Sequence, residues 1–99
     1  MSASRTAEAP TRQEQPALGD SVGDRFRVIL YNDDVHAFDD VVRQVQRATG
    51  VSTEEAFAIT LQAHEAGRAV CYVGSSDACD KVAGILREIA LHVEIDHAG

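Results

Sequence analysis

A six-residue run of β-branched, aromatic and aliphatic side chains, Phe26-Arg27-Val28-Ile29-Leu30-Tyr31, breaks off at three short polar residues, Asn32-Asp33-Asp34. The run is too short for a helix, its composition suits a pleated strand, and Asn and Asp make turns because their side chains hydrogen-bond nearby backbone. Beyond the break the period changes. Phe38, Val41, Val42 and Val45 recur at i, i+3, i+4 and i+7, with Asp39 and Asp40 placed in the first turn to complement the helix dipole and Gly50 ending the run. A strand followed so closely by an amphipathic helix commits the chain to a sheet with helices on its apolar face.

The same reading extends to the end. Ser52 and Glu55 fit a capping box, opening a second helix through Phe57, Leu61 and His64 to a C-terminal Gly67. Ala69 to Val73 reads as a short buried strand. Gly74, Ser75 and Ser76 then turn the chain into a third helix with Ala78, Val82, Ile85, Leu86 and Ile89 on one face. Leu91, Val93 and Ile95 alternate with His92, Glu94 and Asp96, as in a strand with one wet face. The expected fold is α+β, in the order β-α-α-β-α-β: a three-stranded, mostly antiparallel sheet covered on one face by three helices.

Residues 1–24 hold both prolines, Pro10 and Pro16, are rich in Ser, Ala, Thr, Gln and Glu, and show no apolar period, so they read as a disordered N-terminal tail. Residues 25–96 form the expected core and 97–99 a C-terminal end. With 99 residues, 44% hydrophobic and 25% charged, the chain has the size and composition of one globular domain. A core this small removes only roughly 60% of the unfolded surface from water, which favours a surface groove over a deep active site. The net charge of −7 argues against nucleic acid, whose binding depends on clustered Lys and Arg, and in favour of cationic partners such as the α-ammonium of a protein N-terminus. No apolar run approaches the ~20 residues of a membrane span. Cys71 and Cys79, the two cysteines, have no zinc-finger spacing, and the start lacks a secretory pattern, so a reducing cytoplasm is the expected setting.

Taken alone, Asn32-Asp33-Asp34 is a turn whose side chains cap the next helix, and a lone His64 on a helix face is a structural histidine. The two together carry more. His64 lies one turn from Thr60 and next to Ala63, on the face expected to carry Phe57 and Leu61. Where the strand end meets this helix, an imidazole nitrogen, an amide oxygen and a carboxylate would converge beside apolar walls. Such a trio can accept the three N–H donors of an ammonium while the walls bury the adjacent side chain. An internal peptide segment would leave those acceptors unpaired. An enzyme reading would pair His64 with an aspartate and use Cys71 as nucleophile, but Cys71 lies mid-strand between Val70 and Tyr72 and reads as a small buried hydrophobe. A metal reading would join His36, His64 and the aspartates, without a local ligand signature such as HExxH.

Tyr31-Asn32-Asp33-Asp34, the stretch Ala-His-Glu-Ala-Gly-Arg-Ala-Val-Cys-Tyr-Val from Ala63 to Val73, and the order of elements together resemble the ClpS adaptor family over nearly the whole core. The resemblance implies a non-enzymatic adaptor. It would bind proteins with a large hydrophobic N-terminal residue (an N-degron: Phe, Tyr, Trp or Leu) and deliver them to a Clp AAA+ unfoldase-protease, with no metal or nucleotide cofactor. It implies that Asn32, Asp33 or Asp34, and His64 hold the α-amino group. Phe38, Val41, Thr60, Leu61 and Ala63 would line the hydrophobic pocket, with His36 at its rim. It also implies that Asp77 and Lys81 on the third helix dock on the N-terminal domain of a ClpA- or ClpC-type unfoldase, that the tail engages the unfoldase during delivery, and that the adaptor is a monomer. Several positions differ from the familiar pattern: Val35 stands for an aromatic, His36 for a hydroxyl residue, Ala37 for proline, and Phe38 and Thr60 for methionines. A rigid Phe38 in place of an adaptable methionine is expected to favour Phe, Tyr and Leu and to reject β-branched Ile and Val. The alternative is an interaction module of the same fold that docks on an unfoldase or another partner without reading the N-terminus.

Overall fold

The computed structural model describes residues 25–98, so the expected tail lies outside the described residues. Strand β1 (Phe26–Tyr31) is followed by helices α1 (Phe38–Thr49) and α2 (Thr53–Ala66), strand β2 (Arg68–Gly74), helix α3 (Ser76–Arg87) and strand β3 (Val93–His97). The sheet order is β2-β1-β3 with both neighbours antiparallel to the central β1. The α+β reading of the sequence therefore holds, and β3 runs one residue past the expected core end at 96.

The local signals that predicted the elements are the ones that bound them. Ser52 accepts a hydrogen bond from the Glu55 N–H at the start of α2, and Ser75 does the same for Ala78 at the start of α3. Gly50 and Gly67 end α1 and α2 in the left-handed region, at φ 77° and 93°, where a Cβ is disfavoured. All three helices lie on one face of the sheet. Val28 and Leu30 of β1, Val41, Val42 and Val45 of α1, and Leu86 of α3 form the buried cluster between them. Gln44, buried in this layer, is satisfied by donating from Nε2 to the Ile85 carbonyl at 2.6 Å, which ties α1 to α3.

Several expected faces turn out differently. The buried side of α2 is Ala56, Ile59, Thr60 and Ala63, whereas Phe57 and Leu61 are exposed. Small alanines sit where α2 crosses its neighbours because they let the helix approach closely. β2 is not buried on both faces: Ala69 and Cys71 point into the core, but Val70 and Val73 look outward from the open sheet face. A register shift between Val28 and Ile29 marks a bulge opposite Cys71, so Cys71 and Tyr72 both pack toward the helices. On α3 the buried residues are Cys79, Val82, Ala83 and Leu86, while Ala78, Ile85 and Ile89 are only partly buried and Ile89 lies beyond the helix end. Leu91 is buried but precedes β3. A turn through Ala90, at φ 64°, folds the chain back and spends Leu91 as a core plug before pairing begins at Val93.

Candidate functional site

The end of β1, the loop after it, the start of α1 and the middle of α2 enclose an open cavity of about 330 Å³. Leu30 and Tyr31 bring the strand to its edge. Asn32, Asp33, Asp34 and His36 supply the loop, Phe38 and Val41 the start of α1, and Thr60, Ala63 and His64 the facing side of α2. Positions 60, 63 and 64 share one helical face, whereas Leu61 is turned about 100° away and lies outside the wall. The sequence list thus included one residue, Leu61, that the wall does not, and lacked two, Leu30 and Tyr31. The strand run leading straight into Asn32 was the signal for both. Asp77 and Lys81 are exposed on α3 and are not part of this cavity.

The loop is organised by Asp33. Its Oδ1 accepts the backbone N–H groups of Val35 and His36, each at 2.7 Å, and its Oδ2 meets His36 Nδ1 at 2.8 Å. Burial by itself would raise the Asp33 carboxyl, but the bonds from the His36 backbone, the His36 ring and the Val35 backbone outweigh it and hold the group below its ordinary value. Both oxygens of Asp33 are therefore used within the loop. Asp34 is exposed, and among the described residues only its Oδ1 is engaged, accepting from Asn32 Nδ2 at 3.2 Å. That bond turns the Asn32 amide oxygen away from Asp34 and leaves it as an acceptor. The Asn32 N–H donates to the Gly67 carbonyl at 2.9 Å, which pins the loop to the C-terminal end of α2, three residues beyond His64.

The interior is apolar despite Thr60. Its hydroxyl donates to the Ala56 carbonyl at 2.8 Å, so the side chain spends its polar atom within α2. Asn32, Asp34 and His64 are thus the exposed polar groups of a recess whose buried wall is Leu30, Val41, Thr60 and Ala63, with Tyr31, Asp33, His36 and Phe38 half-buried between them. The cysteines are elsewhere. Burial pushes the Cys71 thiol up to about 12 and Cys79 also upward, so neither holds a thiolate at neutral pH, and neither lines the cavity. Among the described residues no three His, Cys, Asp or Glu side chains are grouped as metal ligands would be.

The family model described as "ATP-dependent Clp protease adaptor protein ClpS" matches residues 22–94. The chain belongs to the ClpS family. It is 35% identical over 65 residues to the ATP-dependent Clp protease adapter protein ClpS of Helicobacter hepaticus. That match covers 66% of each protein, so the chain spans about two thirds of this ClpS relative. An Agrobacterium tumefaciens ClpS2 bound to L-phenylalaninamide superposes with a TM-score of 0.71, covering 76% of this chain and 98% of that one. At 20% identity this likeness shows the shared ClpS fold.

Proposed function

We propose that this ClpS-family chain is an N-degron adaptor: it captures proteins by a free α-amino group and a large hydrophobic first side chain and hands them to a Clp AAA+ unfoldase. The observation that carries the reading is one cavity with a polar mouth and an apolar interior, the complement of an N-terminal Phe, Tyr, Trp or Leu. The ammonium donates to the Asn32 amide oxygen, the Asp34 carboxylate and His64. Asp34 makes the charged contact because Asp33 is already committed to the loop. The first side chain enters among Leu30, Phe38, Val41, Thr60 and Ala63, where burying it contributes about 1.5–3 kcal/mol. L-Phenylalaninamide, the ligand of the Agrobacterium protein, has the required features: a free ammonium, a benzyl group, and an amide where a peptide would continue.

Discrimination follows from the acceptors. An internal segment offers them no ammonium, and three polar groups deprived of water without partners cost more than the apolar contact returns. Phe38 crowds the recess beside the α-carbon, so Ile- and Val-initiated peptides, branched at Cβ, should bind at least tenfold more weakly than Leu-initiated ones. Tight binding of an Ile-initiated peptide would refute that steric account.

Delivery uses other surfaces. The exposed Asp77 and Lys81 of α3 form part of the contact with the N-terminal domain of a ClpA- or ClpC-type unfoldase, and residues 1–24 engage the unfoldase during transfer. The adaptor acts as a monomer in the cytoplasm and performs no chemistry of its own. No helix of the described residues is long and apolar enough to cross a membrane. The test is degradation of a Phe-initiated folded substrate by an unfoldase-protease of this type, with and without the adaptor. The expected result is faster turnover with the adaptor, lost when the substrate's first residue is changed to Ser; an unchanged rate would count against delivery.

A further inference from the structure

Asp33 and His36 both line the cavity, yet the capture of an ammonium by Asn32, Asp34 and His64 makes no use of them. They are a pair. His36 Nδ1 meets Asp33 Oδ2 at 2.8 Å, with the two side chains only 24% and 12% exposed. The Asp33 carboxyl is held below its ordinary value and so carries its charge near neutrality. A carboxylate has lone pairs and no hydrogen to give, so the hydrogen in this bond belongs to Nδ1. The other ring nitrogen is fixed by the same bond: in the neutral imidazole, a proton on Nδ1 leaves a lone pair on Nε2. The His36 backbone N–H is also engaged, by Asp33 Oδ1, whereas among the described residues nothing bonds to Nε2. Nε2 is the polar atom that His36 keeps for an occupant of the cavity.

The position of His36 indicates which group that atom meets. The exposed acceptors face the ammonium, the buried wall faces the first side chain, and His36 is half-buried between the two sets. The α-carbon of a bound first residue likewise lies between its ammonium and its side chain. Its remaining heavy-atom substituent is the carbonyl that carries the next peptide N–H. Such an N–H, taken from water at the cavity, needs an acceptor.

We infer that His36 Nε2 accepts the peptide N–H between the first and second residues of the substrate, so that the site reads an amide as well as an amine. The inference rests on the amine-receptor reading above. Asp33 acts as a positioning residue, because its bond to Nδ1 turns the acceptor end of the ring to the substrate. A free amino acid offers no such N–H, and its carboxylate sets lone pairs against Nε2 and negative charge beside Asp33 and Asp34. Free phenylalanine, despite having the same ammonium and ring, is thereby turned away, and the site is left to protein N-termini.

The test is a fluorescence-anisotropy competition titration of the full chain, using wild type, His36→Ala and Asp33→Asn. The competitors are a Phe-initiated peptide, the same peptide N-acetylated, and the same peptide with its first peptide bond replaced by an ester, which keeps the carbonyl and removes the N–H. Wild type should bind the amide about three- to tenfold more tightly than the ester, the scale of one hydrogen bond. In His36→Ala the amide-to-ester ratio should fall by that factor. Asp33→Asn keeps an oxygen for the Val35 and His36 backbone but turns its NH2 group to Nδ1, which moves the ring proton to Nε2. The ratio should fall there too, with the imidazole still present, whereas a merely loosened loop would weaken amide and ester alike. A ratio unchanged in either variant, or an ester that wild type binds as tightly as the amide, overturns the role of His36 and leaves the amine receptor standing. Wild-type protein that binds no free peptide, or binds the acetylated one equally well, overturns the amine-receptor reading and this inference with it.

Discussion

Leu86→Ala is expected to lower the unfolding free energy by about 2–5 kcal/mol and the thermal midpoint by more than about 10 °C. Leu86 is fully buried on α3, in the cluster that joins α3 to α1 and the sheet. Removing most of its side chain forfeits the transfer free energy and leaves a void that close-packed neighbours only partly fill. A domain of this size has about 5–15 kcal/mol of stability in total, so the loss is a large share of it. Leu86 lies away from the cavity, and the molecules that remain folded should bind peptide as wild type does. Urea denaturation measures the first effect and peptide titration well below the midpoint the second. A cost below about 1 kcal/mol would contradict a tightly packed core at this position.

Asp33→Ala has its expected effect at the cavity mouth. The Asp33 carboxylate holds the backbone of Val35 and His36 and the His36 ring, and hydrogen bonds to a charged group are each worth about 1.5–3 kcal/mol in favourable settings. Part of this is recovered from water in an open loop, so the net loss should be about 1–3 kcal/mol of stability, with peptide affinity falling at least tenfold as Asn32 and Asp34 lose their placement. The pH dependence has a definite sign. The folded-state value of Asp33 is depressed, so its contribution is fully present above the unfolded value of about 3.9 and fades as pH falls through the lower folded value. The stability gap between wild type and Asp33→Asn should therefore be constant near neutrality and narrow only in acid below about pH 4. A gap that widened in acid would mean that Asp33 is not held in its charged form.

Elements with a strong local signature are legible in the sequence. The period of Phe38, Val41, Val42 and Val45 with Gly50 behind it defines α1, and the Ser52–Glu55 and Gly67 signals define α2, because caps and stripes are properties of neighbouring residues. The face that α2 buries was not legible in the same way. Apolar residues surround that helix, and the crossing with α1 and the sheet, which Ala56 and Ala63 permit, decides that Ile59 and Thr60 go inside while Phe57 and Leu61 stay out. The outward Val70 and Val73 depend likewise on which face of β2 the helices cover, and on a bulge that no short-range pattern announces. At the candidate site, Asn32, Asp33, Asp34 and His64 stood out by residue type and spacing. The loop hydrogen bonds that engage both oxygens of Asp33 but one of Asp34 were not legible there, and neither was the internal bond that hides the Thr60 hydroxyl.

The central claim is that the cavity reads a free N-terminus, and calorimetric titration with a Phe-initiated peptide tests it most directly, using the peptide free and N-acetylated against wild type and His64→Ala. Acetylation removes the charge and two of the three donors, so binding should fall at least a hundredfold, and His64→Ala should weaken the free peptide roughly ten- to a hundredfold. Equal affinity for the free and acetylated peptides, or a His64→Ala variant indistinguishable from wild type, would contradict the account.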